Sequence, residues 1–76
     1  MMLVIRISNL PVRADEEAVE KLCSKYGEVM SVRMLIFPEC AEVEMPERDA
    51  RRAIKHLNGR IWREEKLEVR EKFWGL

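Results

Sequence analysis

The most constraining feature of the sequence is an alternation of apolar and polar residues with a period of two, which recurs in four stretches. In the first, Leu3, Ile5 and Ile7 occupy every second position. Stretches 32–37, 40–45 and 66–70 alternate in a similar way. Because successive side chains of a strand point to opposite faces, each stretch predicts a strand with one buried face. The chain is therefore expected to form a four-stranded sheet.

Two stretches between these strands carry apolar residues at helical spacing. The first helix is predicted to begin after the cap Asp15 and to run to about Tyr26, where Gly27 supplies a left-handed stop. The second is predicted to have Pro46 in its first turn and to end at Asn58-Gly59. The resulting order, β-α-β-β-α-β, predicts an α+β, ferredoxin-like fold in which two helices cover one face of a four-stranded antiparallel sheet.

The inward positions of the strands and the apolar stripes of the helices predict one hydrophobic core. A tight connection at Pro38-Glu39 should pair the second and third strands. At 76 residues the chain has room for one domain, expected to span residues 1–76. The residues predicted to share the core are Ile5, Ile7, Val19, Leu22, Val32, Met34, Val43, Ile54, Leu57, Leu67 and Val69.

Charge and cysteine content limit the functional classes. Lys plus Arg and Asp plus Glu both number 14 and the isoelectric point is about 6.6, which is not typical of a strong nonspecific nucleic-acid binder. Cys23 and Cys40 fit neither a disulfide framework nor a zinc site. A reducing compartment is therefore favoured, and no metal or other cofactor is expected.

Membrane and catalytic functions are also disfavoured. No apolar stretch approaches the roughly 20 residues of a membrane helix, and no signal-peptide pattern opens the chain. His56 is the only histidine, and no Gly-rich phosphate loop is present. Catalysis needs a base, nucleophile or metal set gathered in a cleft. The sequence thus predicts a non-enzymatic, soluble protein of the cell interior, in the nucleus or the cytoplasm.

Three segments, taken in order, resemble conserved parts of the RNA recognition motif (RRM) family. Residues 5–11, Ile-Arg-Ile-Ser-Asn-Leu-Pro, resemble the shorter RRM motif on strand one. Residues 22–27 resemble the end of helix one, and residues 53–59 resemble the end of helix two. The resemblance implies a non-catalytic binding module with the same element order, and it implies single-stranded RNA as the partner of the sheet.

The chain departs from the family pattern where RRM domains usually stack bases. Residues 38–45 fill the frame of the longer RRM motif, but its two outward ring positions are Cys40 and Glu42. Arg6 replaces the aromatic residue of the shorter motif. Since stacking contributes roughly 1–3 kcal/mol per base, RNA binding is expected to be weak or non-canonical. A similarity to the polypyrimidine-tract-binding branch, where aliphatic residues also replace rings, keeps RNA binding as the leading hypothesis.

The candidate RNA contacts lie on the predicted outer sheet face and in the C-terminal tail. Their cationic members are interpreted either as phosphate contacts and guanidinium stacks or as partners in cross-strand ion pairs with neighbouring glutamates. The aromatic tail either extends the binding surface or folds over apolar groups of the sheet. The full set is Arg6, Ser8, Arg33, Leu35, Phe37, Cys40, Glu42, Lys66, Arg70, Phe73 and Trp74.

Protein binding is the alternative function. A basic segment on helix two could give the helical face a charge-complementary contact. Arg60-Ile61-Trp62 also resembles the Arg-x-Phe segment of peptide-binding splicing-factor variants of the RRM, which implies peptide binding by Arg60 and Trp62. Those variants carry acidic residues on helix one where this chain has Ala18 and Leu22. A monomer or a weak dimer is expected.

Overall fold

Alternating apolar residues build a four-stranded antiparallel sheet, which confirms the predicted ferredoxin-like architecture. The computed structural model describes residues 1–73. The strands are β1 Met2–Ser8, β2 Ser31–Ile36, β3 Glu39–Pro46, β4 Ile61–Trp62, β5 Glu65–Lys66 and β6 Glu68–Glu71. The strand order in the sheet is β2-β3-β1-β6, so β1 and β3 form its middle and β2 and β6 form its edges.

Two helices cover one face of this sheet, α1 over Glu16–Ser24 and α2 over Glu47–Leu57. The Asp15 side chain accepts a hydrogen bond from the Ala18 N–H at 2.8 Å, which confirms the predicted cap. The predicted end of α1 near Tyr26 was wrong. The Tyr26 N–H donates to the Cys23 carbonyl at 2.9 Å, so a tighter three-residue turn replaces the last helical bonds.

Both the backbone conformation at position 27 and the close approach of Asp49 require a glycine there. Its φ of 154° lies in a region that side chains rarely adopt, and a Cβ added there would overlap the side chain of Asp49. Because Asp49 belongs to the first turn of α2, Gly27 lets the end of α1 approach the start of α2.

One hydrophobic core fills the space between the sheet and the helices. Val32 and Ile54 are half-buried and pack against it as predicted partners. Met34 was wrongly placed in this core, since it is 37% exposed. Its strand β2 is an edge, so one flank of Met34 has no neighbouring strand. The buried apolar residues are Leu3, Ile5, Ile7, Val19, Leu22, Cys23, Ala41, Val43, Met45, Ala50, Ala53, Leu57, Leu67 and Val69.

A short hairpin of β4 and β5 precedes the last strand and was not predicted. Its turn residues Arg63 and Glu64 have φ values of 50° and 75°. Such turns usually use Asn or Gly, so this hairpin carried no sequence signal. The predicted strand 66–70 is divided at Leu67, and Lys66 lies in the two-stranded sheet instead of the four-stranded one. Trp62 is half-buried and packs against the core beneath the hairpin.

Candidate nucleic-acid interface

The outer face of the sheet, opposite the helices, presents side chains in rows that cross the strands. Directly paired residues of antiparallel strands point to the same face. The pairings Arg33 with Glu42, Glu42 with Arg6, and Arg6 with Arg70 therefore align four charged side chains across the width of the sheet. We call these four residues the central row. A neighbouring row consists of Leu35, Cys40, Ser8 and Glu68.

Glu42 lies at the centre of an ion-paired cluster. Arg6 Nη2 donates to Glu42 Oε2 at 2.8 Å, and Lys72 Nζ donates to Glu42 Oε1 at 3.1 Å. Glu42 is only 6% exposed, although it is on the face without helices. Burial favours the neutral carboxyl, but the hydrogen bonds from Arg6 and Lys72 outweigh it and lower the pKa of Glu42. Two positions that hold stacking rings in the family pattern are thus joined by an ion pair.

We expect the stability of the protein to depend on pH through Glu42. Because its pKa in the folded state lies below the ordinary 4.5, its contribution is fully present above pH 4.5 and is lost as the pH falls through the lowered value. Urea unfolding between pH 7 and pH 3 should show a steeper loss of stability for the wild type than for Glu42→Gln. Equal slopes for the two proteins below pH 4.5 would contradict the lowered pKa.

Cys40 offers little surface to a ligand. It is 1% exposed, between Leu35 of β2 and Ser8 of β1. Burial raises the pKa of the Cys40 thiol, and Arg6 offsets part of this effect. Burial alone raises the pKa of Cys23 to about 12. Both thiols are therefore protonated and unreactive at neutral pH.

Arg33 and Arg70 stand at the two ends of the central row. Both are exposed, in contrast to Glu42 between them. Within residues 1–73, neither forms an ion pair, whereas Arg6 does. The two interpretations of the cationic residues therefore apply to different residues. Arg6 is an ion-pair partner of Glu42, whereas Arg33 and Arg70 are accessible to a ligand.

Apolar and aromatic candidates lie towards both ends of the sheet, with Leu35 and Phe37 at the β2–β3 turn and Phe73 past Glu71 at the opposite end. Leu35 and Ser8 are half-buried, and Phe37 is 94% exposed in the turn between β2 and β3. Phe73 follows β6 and is exposed. Trp74 lies outside the described residues. Phe37 is thus the aromatic ring most available to a ligand at the β2–β3 end of the sheet.

Lys72 is a site residue that the sequence interpretation missed. Its N–H donates to the Val4 carbonyl at 2.8 Å, so pairing with β1 continues beyond Glu71. Its ammonium reaches Glu42 on the outer face. The sequence did indicate this position, because Glu68, Arg70 and Lys72 continue the period of two past the end of the predicted strand.

The residues of the peptide-binding alternative lie on the opposite side of the molecule. Arg60 Nη1 donates to the hydroxyl of Tyr26 at 3.1 Å. The guanidinium of Arg63 sits 4.7 Å from the centre of the Trp62 ring, so one face of the indole is already covered. A shallow cleft beside this ring runs between α1 and the hairpin, and its lining comprises Ala18, Lys21, Leu22, Lys25, Trp62 and Arg63.

Residues 1–73 offer neither a metal-binding cluster nor a membrane-spanning helix. They contain no group of three or more His, Cys, Asp or Glu side chains placed to hold a metal ion. None of the helices in this part of the chain is both long enough and apolar enough to cross a bilayer.

The comparisons with known proteins agree with the geometry of the sheet. Residues 5–68 match the sequence model described as RNA recognition motif. The crystal structure of RNA Binding Protein PG1 is 33% identical with a TM-score of 0.86, covering 97% of this chain and 98% of that one. The RRM domain of Puf1 from S. pombe is 27% identical with a TM-score of 0.86, covering 95% of this chain and 90% of that one.

A two-domain structure is also similar. RNA recognition domains 1 and 2 of Sex-lethal from Drosophila melanogaster give 26% identity and a TM-score of 0.80, with 88% of this chain and 47% of that one covered. No curated protein sequence matches the chain.

Proposed function

The chain belongs to the RNA recognition motif family, and from this premise we propose that it is a non-catalytic module that binds single-stranded RNA on the outer face of its sheet. The observation that carries the proposal is the central row, in which exposed Arg33 and Arg70 flank the buried Glu42. Three strand spacings separate these arginines, about 14 Å. An RNA backbone lying across the strands can contact both guanidinium groups with its phosphates.

The binding is non-canonical because an ion pair occupies the usual place of the stacking rings. Arg6 Nη2 donates to Glu42 Oε2 at 2.8 Å, and neither side chain offers an aromatic face. The carboxylate also repels phosphate, although Arg6 and Lys72 compensate its charge. Stacking on an aromatic ring contributes roughly 1–3 kcal/mol of binding free energy per base, so the loss of two or three rings should make the affinity for RNA modest.

The remaining base contacts are proposed at the end of the sheet near the β2–β3 turn. Phe37 exposes its ring there, and Leu35 contributes a half-buried apolar side chain on the outer face. Arg33 neighbours Leu35 on the same face of β2 and can stack its guanidinium plane on a base. Bases would then lie towards β2 while phosphates reach Arg70 of β6.

Replacing Arg33 and Arg70 together with Ala should weaken binding to every single-stranded RNA that the wild type binds. Each phosphate contact on single strands contributes about 0.7 to the slope of log affinity against log salt, so losing two should flatten the slope by about 1.4. Fluorescence anisotropy with a labelled pool of short RNAs between 50 and 300 mM salt measures both quantities.

The matched control removes two cations from the helical side. Arg48 and Lys55 are exposed on α2, so their double Ala variant changes the net charge equally without touching the outer face. It should bind RNA with nearly wild-type affinity and salt slope. If both double variants weaken binding to the same extent, attraction by overall charge explains the effect and the outer face is not the interface.

Protein binding is the second candidate function, and one observation favours it. Lys21, Lys25 and Arg63 surround the partly covered ring of Trp62 in the cleft beside α1. This chemistry suits an acidic peptide, whereas the acidic helix-one residues of the peptide-binding variants suit a basic ligand. A titration with an acidic peptide containing one Phe, compared with its Lys-for-Glu counterpart, tests it through the Trp62 fluorescence of a Trp74→Phe variant. If neither peptide binds, this candidate function is excluded.

We further propose that residues 1–76 form one domain that works inside the cell, in the nucleus or the cytoplasm. Cys23 and Cys40 are buried and free, which fits a reducing compartment.

A further inference from the structure

We propose that β2 is a self-association edge, where two copies of the chain pair their β2 strands antiparallel and form one continuous eight-stranded sheet. The proposal does not depend on RNA binding. It starts from the sheet order, which within residues 1–73 leaves β2 and β6 with one unpaired side each. Unpaired backbone N–H and carbonyl groups on such an edge are a template for a further strand.

The two edges differ in the residues that discourage pairing. Strand β6 has the sequence Glu-Val-Arg-Glu, so three of its four side chains are charged. Strand β2 has the sequence Ser-Val-Arg-Met-Leu-Ile, with Arg33 as its one charged residue. Charged side chains on an edge oppose addition of another strand, and apolar ones do not. Of these two edges, β2 is therefore the one suited to pairing.

Exposed apolar side chains concentrate along the same edge. Of the nine large hydrophobic residues exposed within residues 1–73, four fall between positions 30 and 37, namely Met30, Met34, Ile36 and Phe37. Ile36 is 76% exposed although it continues the inward face of β2. Such a row next to unpaired backbone groups is a surface that pairing would remove from water.

Symmetry restricts how two β2 strands can pair. A twofold axis perpendicular to the sheet keeps both helical layers on one side, and directly opposed residues must then share a face. The axis must therefore lie between the two copies of one residue, which then directly oppose each other. Centring it on Arg33 would oppose two like charges, which is destabilising. Centring it on Met34 opposes the two Met34 side chains and sets each Val32 against Ile36 of the second copy.

The Met34-centred register is the one that we propose. It joins three apolar pairs on the helical face, and it opposes Arg33 with Leu35 on the outer face. The outer faces of both copies then continue into each other, so a dimer would present twice the surface of one domain on the same side. The partner is a second copy because its edge is identical and the register is self-complementary.

A thiol cross-link tests the register. In the proposed dimer, Cys residues introduced by Met34→Cys would face each other across the axis, at a Cα separation of about 4.5–5.5 Å that suits a disulfide. Residues introduced by Arg33→Cys would be offset by two positions along the strands. Native Cys23 and Cys40 are buried and should not compete. Oxidation should trap a dimer of Met34→Cys in clear excess over Arg33→Cys.

Sedimentation equilibrium tests the interface without added thiols. The wild type should self-associate reversibly below about 1 mM, and Ile36→Lys should raise the dissociation constant by about tenfold or more. Ile61→Lys is the matched control, because Ile61 is an exposed apolar residue on the hairpin away from β2, and it should associate like the wild type. Circular dichroism verifies that each variant is folded.

Three outcomes would overturn the proposal. The wild type could remain monomeric throughout this concentration range. The Ile36→Lys variant could associate as strongly as the wild type, which would place any dimer elsewhere. Finally, oxidation could trap Arg33→Cys as efficiently as Met34→Cys, which would contradict the register.

Discussion

Replacing Ile7 with Ala should lower the free energy of unfolding by about 2–5 kcal/mol, as measured by urea denaturation. Ile7 is fully buried on β1, with α2 packing on the same strand. The substitution removes apolar contacts and leaves a cavity that the surrounding core closes only in part. Because β1 is paired on both sides, the loss should affect the cooperative unfolding of the whole sheet.

The control for Ile7→Ala is the same substitution at an exposed site. Ile36→Ala on the edge strand removes identical atoms, but this side chain is mostly in water, so the free energy of unfolding should change by no more than about 0.5 kcal/mol. Measurements should be made at low protein concentration, where pairing of β2 edges is negligible. Similar losses for both variants would contradict the assignment of the buried face.

Replacing Glu42 with Ala should destabilise the domain by about 1–3 kcal/mol, because it leaves Arg6 and Lys72 without their shared carboxylate. Arg6 is partly exposed and can regain water, which keeps the loss below that of a fully buried ion pair. Thermal and urea unfolding at pH 7 both report the change.

Glu44 supplies the control for this prediction. It is two positions along the same strand and face and is half-buried, and its carboxylate accepts a long hydrogen bond from the Ser31 hydroxyl at 3.4 Å. Glu44→Ala should change stability by about 0.5 kcal/mol or less. A double-mutant cycle of Arg6→Ala and Glu42→Ala should show coupling, and additive effects would contradict a direct interaction.

The element order and most of the core could be predicted from the sequence because burial on one face imposes a period of two on strands and 3.6 on helices. Ile7, Val43 and Leu57 follow these periods and are fully buried. Asp15 and Asn58 flank the helices as predicted, since caps rely on local hydrogen bonds that a few neighbouring residues determine.

The features that were missed depend on contacts between distant segments. Met34 has the same alternation as Val43, but its edge position is decided by the order of strands, which periodicity does not encode. The hairpin turn at Arg63-Glu64 adopts positive φ without Asn or Gly. Its conformation follows from the packing of Trp62 on the core and from Arg63 over the Trp62 ring.

The candidate site could be predicted only in part from the sequence, again because it depends on contacts between distant segments. Alternation placed Arg6, Arg33 and Glu42 on one face, and the register then made Arg6 a partner of Glu42 and left Arg33 exposed. Which cation pairs with which carboxylate depends on side-chain reach across strands. Lys72 shows this clearly, since it contacts a residue 30 positions away.

The most direct test of the central claim is an NMR titration of the labelled domain with pooled short single-stranded RNA. The amide signals of Arg33, Leu35 and Arg70 on the outer face should shift in fast exchange, with little change along α1 and α2, and a duplex of matched sequence should shift them less. If single-stranded RNA leaves these sheet signals unchanged at saturating concentration, or shifts only signals of the helices, the outer face does not bind RNA and the proposed function is wrong.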